Sequence, residues 1–174
     1  MIHSYKGVLP NIDESVLVCA GSHIIGDVVI GKNSSVWYNC VVRGDVNYIR
    51  IGEFTNIQDG SILHVNHIDY FLHIGSYVTA GHNCILHGCV IEDNVLIGMG
   101  AILLDNCRVN SNSLIAAGTV IKENFKVPSG VLVAGVPGKI VRDLTLKEIE
   151  DIKKSAENYS EYAKEYLSAA NIKK

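Results

Sequence analysis

Aliphatic residues recur at every sixth position through most of this chain, a period that neither a helix nor an ordinary strand sustains. From Ile12 they fall at Val18, Ile24, Ile30, Val36 and Val42, then, after a three-residue insertion near Tyr48, at Ile51, Ile57 and Leu63. A longer interruption runs from Val65 to His73. The count resumes at Ile74, Ala80 and Leu86, loses one residue, and continues through Ile91, Ile97, Leu103, Val109, Ile115, Ile121, Val127 and Val133. Four residues after most anchors stands a small or β-branched side chain, such as Ser34, Cys40, Thr55, Ser61, Cys84 and Thr119, with Gly, Asn or Asp often in between. A helix needs spacings of three and four, and a half-buried strand alternates in twos. Six residues therefore hold one short strand and one turn, the anchor pointing inward and the residue at plus four filling a tight corner.

Three hexads, about 18 residues, close one triangular coil, so the roughly twenty hexads here make about seven coils. The pattern resembles that of left-handed parallel β-helices, an exception to the right-handed crossover rule. At about 4.8 Å per coil the prism is ~33 Å tall. This all-β, left-handed parallel β-helix is expected over residues 1–140, with Pro137 and Gly138 ending strand pairing. Residues 141–174 are expected to form a linker and an amphipathic C-terminal α-helix. Thr145-Leu146-Lys147-Glu148 reads as its capping box. Its apolar stripe is Leu146, Ile149, Ile152, Ala156, Tyr159, Ala163, Tyr166 and Ala170, a face to lay on the prism or on a neighbour.

The totals exclude several classes of partner. A chain of 174 residues with 48% apolar content is sized for one domain, and a net charge of −3 with mixed signs leaves no basic footprint for nucleic acid or anionic lipid. No apolar run approaches the roughly 18 residues of a membrane span, and the first residues lack a signal-peptide pattern, so a cytoplasmic location is expected. The five cysteines contain no CxxC pair and are expected to be reduced. Cys40, Cys84 and Cys107 fall on the corner position; Cys89 falls off it beside His87, where it could be a core thiol or a ligand.

The same register points the histidines. His64 and His87 are second residues of hexads three apart, so they stand one above the other on one face, about 5 Å apart at the backbone and facing outward. Two imidazoles so stacked can share a metal with bonds of about 2.0 to 2.1 Å. His82 is the third residue of the intervening hexad, near a corner of the preceding face, and is badly placed to complete the site within one chain. A symmetric trimer brings His82 of one chain to the pair of the next. Arg43 lies one coil from His64 on its face, with Asp45 two residues on as an ion-pair partner, within the chain or across that interface. Gln58 lies on the face that carries His82, within reach of a metal-bound water, and Asn56 and Asp59 flank it as corner, contact or site residues.

These residues stand in Arg43-Gly44-Asp45, Asn56-Ile57-Gln58-Asp59-Gly60, Leu63-His64, Gly81-His82-Asn83, Leu86-His87-Gly88 and Ile97-Gly98-Met99-Gly100-Ala101. Together with the tail Ser155-Ala156-Glu157-Asn158-Tyr159, this resembles the gamma-class carbonic anhydrase family over nearly the whole chain. The resemblance implies a homotrimer with a divalent metal at each subunit boundary, held by His64 and His87 of one chain and His82 of its neighbour. Zinc is the default, and imidazole ligands also suit Fe2+ or Co2+. It implies an interchain Arg43–Asp45 pair and a Gln58 that orients a metal-bound hydroxide, which attacks carbon dioxide to give bicarbonate.

The sequence departs from the family pattern in its proton path. Val46 stands where archetypal members carry a glutamate, and the loop from Val65 to His73 is short, with Asp69 its only carboxylate. His67, Asp69 or Tyr159 are the candidate relays; for Tyr159 the competing role is packing of the helix. The alternatives to a carbonic anhydrase-like lyase are a metal-binding scaffold with little turnover, a hexapeptide acyltransferase that binds coenzyme A between prisms, and another metal-dependent hydrolysis such as thioester cleavage.

Overall fold

The computed structural model describes residues 1–172, with side chains through residue 169, so Ala170 of the expected apolar stripe lies outside the described side chains. The hexads wind into a parallel β-solenoid of about seven turns closed by one C-terminal helix. Three columns of anchors fill its interior. Ile24, Val42, Leu63, Leu86, Leu103 and Ile121 stack in register along one face, here called the histidine face. Val18, Val36, Ile57, Ala80, Ile97, Ile115 and Val133 stack along the helix face. The third column runs from Ile12 through Ile51 and Ile91 to Val127 on the open face. Beyond the first coil every anchor is buried.

The corners explain the residues between anchors. The third residue after the anchor adopts a left-handed backbone, with φ of 57° at Asn33, 58° at Asn83 and 62° at Asn124. Asn tolerates this conformation where most side chains do not. Phe54 and Tyr77 occupy it with φ of 52° and 56° and stack on each other with ring centroids 5.0 Å apart. The ammonium of Lys153, on the helix, lies 5.0 Å above the Tyr77 ring, so two strained corners become part of the seat for the helix.

The residue at plus four is hydroxylic at several corners because it bridges successive coils. Thr55 Oγ1 donates to the Gly75 carbonyl at 2.7 Å and accepts from the Val78 amide at 3.1 Å. Ser34 and Ser61 repeat the arrangement. Cysteine fills other corners as a small apolar residue, and burial pushes the thiols of Cys40 and Cys84 up to about 11. Cys89 is also wholly buried in this core, which removes it from the candidate ligands. All five cysteines are free thiols.

Strand pairing does not stop at Pro137 and Gly138. The chain reverses there, and Lys139–Asp143 pairs antiparallel with Val131–Ala134. The last coil thus covers part of its open edge with its own continuation, carrying strand pairing to Asp143, beyond the Pro137–Gly138 stop expected from sequence. The helix Leu146–Ile172 follows. Its capping box is complete: Thr145 Oγ1 accepts from the Glu148 amide at 3.2 Å, and the Glu148 carboxylate accepts from the Thr145 amide at 2.9 Å. Ile152, Ala156 and Ala163 are buried against the helix face, joined by Ser160, which the stripe did not include. Leu146 and Tyr166 belong to the stripe by spacing but are 81% and 46% exposed. No helix among the described residues is long and apolar enough to cross a membrane.

Two outcomes follow from this packing. Thr55→Val keeps the shape of the corner but strands the Gly75 carbonyl and the Val78 amide, and lowered stability of about 1–3 kcal/mol is expected in urea unfolding. Glu148 is held at about 2 by its hydrogen bonds to Arg142 first and Thr145 second, below the ordinary 4.5. A depressed folded pKa contributes stability that is present above the unfolded value and lost as pH falls toward the folded one. The thermal-stability gap between wild type and Glu148→Gln should therefore be full at pH 6, shrink from about pH 4.5 downward and close near pH 2.

Candidate metal centre

The ladder that aligns Leu63 with Leu86 also aligns His64 with His87. Both side chains point out of the prism, and their ring centroids lie 5.1 Å apart. The facing nitrogens, His64 Nδ1 and His87 Nε2, are 3.1 Å apart. The far nitrogen of each ring meets a carboxylate: His64 Nε2 lies 3.0 Å from Asp45 Oδ1, and His87 Nδ1 contacts Asp105 Oδ1. An ionised carboxylate only accepts, so each far nitrogen carries the ring proton and each facing nitrogen presents a lone pair. Two lone pairs at 3.1 Å repel unless a cation lies between them.

A shared proton is disfavoured at His64. Burial lowers its pKa, the Asp45 hydrogen bond opposes that, and the charges of Arg43 and His87 reinforce it. Asp45 is itself kept ionised: burial raises its pKa, but hydrogen bonds from Arg43 and His64 outweigh that and the net shift is downward. Arg43 bonds Asp45 within the same chain.

His82 is not with the pair. It stands at the corner between the helix face and the histidine face, where its Nδ1 lies 2.9 Å from Asp59 Oδ2, leaving Nε2 bare. No group of three metal-ligating side chains forms among the described residues of one chain. His82 and Asp59 border a hollow of about 390 Å3 whose other walls are aromatic, including Trp37, Tyr159 and Tyr162. Tyr159 meets Trp37 and Tyr162 edge-on, each at 5.6 Å. Burial first and the charge of Asp59 second raise its phenol pKa, so the hydroxyl holds its proton more firmly than a free tyrosine does. Gln58 is 5% exposed and donates to Asn56 Oδ1 at 3.0 Å, while Asn56 donates to Thr79 Oγ1 at 2.9 Å. His67 and Asp69 lie exposed on the loop.

The donor set fits a divalent metal. Two nitrogens bound tetrahedrally at 2.0 to 2.1 Å stand about 3.3 Å from each other, close to the spacing seen here. Each of the three histidines also has a carboxylate on its other nitrogen, the usual outer partner of a metal-bound imidazole. Asp105 was not among the residues singled out by sequence, although the register that placed the histidines reaches it. It is the third residue of the hexad at Leu103, one coil beyond Gly88.

Residues 2–44 and 88–123 match the family described as "Bacterial transferase hexapeptide (six repeats)". The chain is 55% identical over 148 residues to a protein of Methanocaldococcus jannaschii named "Probable carbonic anhydrase", covering 85% of this chain and 92% of that one. It is 44% identical over 169 residues to "Gamma carbonic anhydrase 1, mitochondrial" of Arabidopsis thaliana, covering 94% of this chain and 61% of that longer one. The crystal structure of a hexapeptide transferase family protein from Anaplasma phagocytophilum matches with a TM-score of 0.92 at 43% identity, covering 95% of this chain and 98% of that chain. With repeat, fold and near full-length identity in agreement, the chain belongs to the gamma-class carbonic anhydrase-like family of hexapeptide-repeat proteins.

Proposed function

We propose that the protein is a metal-dependent enzyme for the reversible hydration of carbon dioxide, with its site assembled between subunits of a homotrimer. The observation that carries this reading is the set of three carboxylate-anchored imidazoles, two converging at 3.1 Å and the third on a distant corner of the same chain. His64 and His87 of one subunit and His82 of its neighbour would hold the ion, zinc by default, with Fe2+ or Co2+ equally suited to imidazole. A divalent cation there would supply Lewis acidity, lowering the pKa of a coordinated water toward neutrality.

The histidine face supports self-association. Beside the pair, an outward column of Val41, Ile62, Ile85, Ile102 and Val120 runs down the prism, with Ile62 45% and Ile85 38% exposed. Stacked exposed aliphatics of this kind mark a surface that another chain covers. The exposed Arg43 guanidinium can keep Asp45 ionised whether it pairs within its own chain, as here, or across the boundary. Gln58, held by Asn56, would orient the attacking water, and Tyr159 lines the hollow beside His82. Proton exit falls to His67 or Asp69 on the exposed loop, since Val46 offers no carboxylate.

The competing acyltransferase reading draws on the description of the Anaplasma relative. A single histidine base would serve that reaction, and it leaves the converging pair unexplained. Zinc-loaded protein should hydrate carbon dioxide in a stopped-flow assay, and His82→Ala and His64→Ala should each lose at least ~100-fold, a loss of ligands. Refolding the two variants together at equal amounts should restore about a quarter of the wild-type sites, because only one boundary in four pairs intact partners. No restoration would rule out the shared site, and acetyl-coenzyme A turnover by metal-free protein would favour the acyltransferase.

A further inference from the structure

The two breaks in the hexad rhythm meet at one residue. Asn66 lies in the long interruption, and its Nδ2 donates to Asp105 Oδ2 at 2.9 Å while Asp105 Oδ1 contacts His87 Nδ1. The Asn66 carbonyl accepts from Asn47 Nδ2 at 3.3 Å, and Asn47 belongs to the shorter insertion that follows Asp45. The Asn66 amide donates to the Tyr70 carbonyl at 3.0 Å, which closes the loop on itself. Gly88 makes room for the carboxylate: a Cβ at that position would lie 2.3 Å from Asp105 Oδ1 and 2.9 Å from Tyr70 Cβ.

We propose that Asp105, held in place by Asn66, is a positioning residue for His87: it fixes the ring proton on Nδ1, aims Nε2 at His64, and ties that choice to the 65–73 loop. Asp105 has two oxygens and one of them is taken by Asn66, so the other faces His87 without freedom to swing toward solvent. The Asn66 backbone is held by the loop's closing bonds, through its N–H to Tyr70 and its carbonyl to Asn47, which keeps the side-chain amide beside Asp105. A neutral imidazole in water divides its proton between two nitrogens, and a ring with its proton on Nε2 has no lone pair to offer a cation there. The carboxylate removes that ambiguity before any ion arrives. Outer partners of this kind are worth about 10–100-fold in metal affinity.

The inference rests on the metal-site reading above, but its first test does not need metal. In metal-free protein at about pH 8, long-range nitrogen–proton NMR correlations of the histidine rings should show His87 protonated on Nδ1. In Asp105→Ala the same ring should shift toward protonation on Nε2. Chelator competition with Zn2+ should then give an affinity about 10–100-fold weaker for Asp105→Ala and a smaller loss for Asn66→Ala. Ile68→Ala, in the same loop with its side chain exposed, should match wild type. A wild-type His87 protonated on Nε2 overturns the proposal without any variant, so failure of Asp105→Ala to fold leaves it falsifiable. Unchanged affinity in Asp105→Ala also overturns it, and unchanged affinity in Asn66→Ala overturns the tie to the loop. Protein that shows the expected tautomer yet hydrates no carbon dioxide would refute the enzymatic reading alone.

Discussion

The parallel ladder between coils is the constraint from which the site follows. Strand amides on one coil donate to carbonyls of the next, as when Ile62 donates to Cys84 at 2.8 Å and Ile85 to Ala101 at 3.0 Å. Slipping one coil by a residue would turn its anchor out to water and its histidine into the core. Leu63 and Leu86 are wholly buried, so that slip is closed off by the interior. The alignment of His64 over His87 therefore needs no contact between the rings. The rings meet because the leucines beneath them stack, and the stacking is then used to force two imidazoles closer than they would choose.

That closeness is a deliberate frustration. Three carboxylates take up the far nitrogens of three histidines, and the near nitrogens of His64 and His87 are left facing each other. Burial and the neighbouring guanidinium work against relieving the pair with a proton at His64. The geometry is unfavourable for an apo protein and favourable for one with a cation, which is how a preformed site stores selectivity in its electrostatics.

Much of this is legible from the six-residue period, because the period fixes both what is buried and what lies above what. It gives the inward cysteines and hydroxyls at the corners, the vertical histidine pair and the separate position of His82. Asp105 could have been reached by the same arithmetic, carried one coil further. What escapes is whatever lies in the interruptions. Asn66 sits in a stretch with no register, so nothing in the spacing says that it meets Asp105. The continuation of pairing past Pro137 escapes for a related reason: a chain that folds back at the open end of a solenoid answers to the unpaired edge below it, not to its own pattern. On the helix, spacing names the stripe but not where the prism ends beneath it, and Leu146 is left in water.

The section of the solenoid also keeps His82 apart from the His64–His87 pair within one chain. Successive residues on one face can be stacked, but a corner separates one face from the next. His64 and His87 stand past their anchors on the histidine face, while His82 stands at the corner where that face begins. The prism core, filled with Ile57, Leu63, Ala80 and Leu86, cannot be thinned to bring them together. The fold can thus offer two ligands at one edge and one at another, and a threefold arrangement of prisms, edge to corner, is the simplest way to use all three. The helix face is taken by the tail and the histidine face carries the exposed aliphatic column, so under this reading these two sides of the triangle have separate assignments. In the proposed trimer, the fold would supply rigidity and association the coordination number.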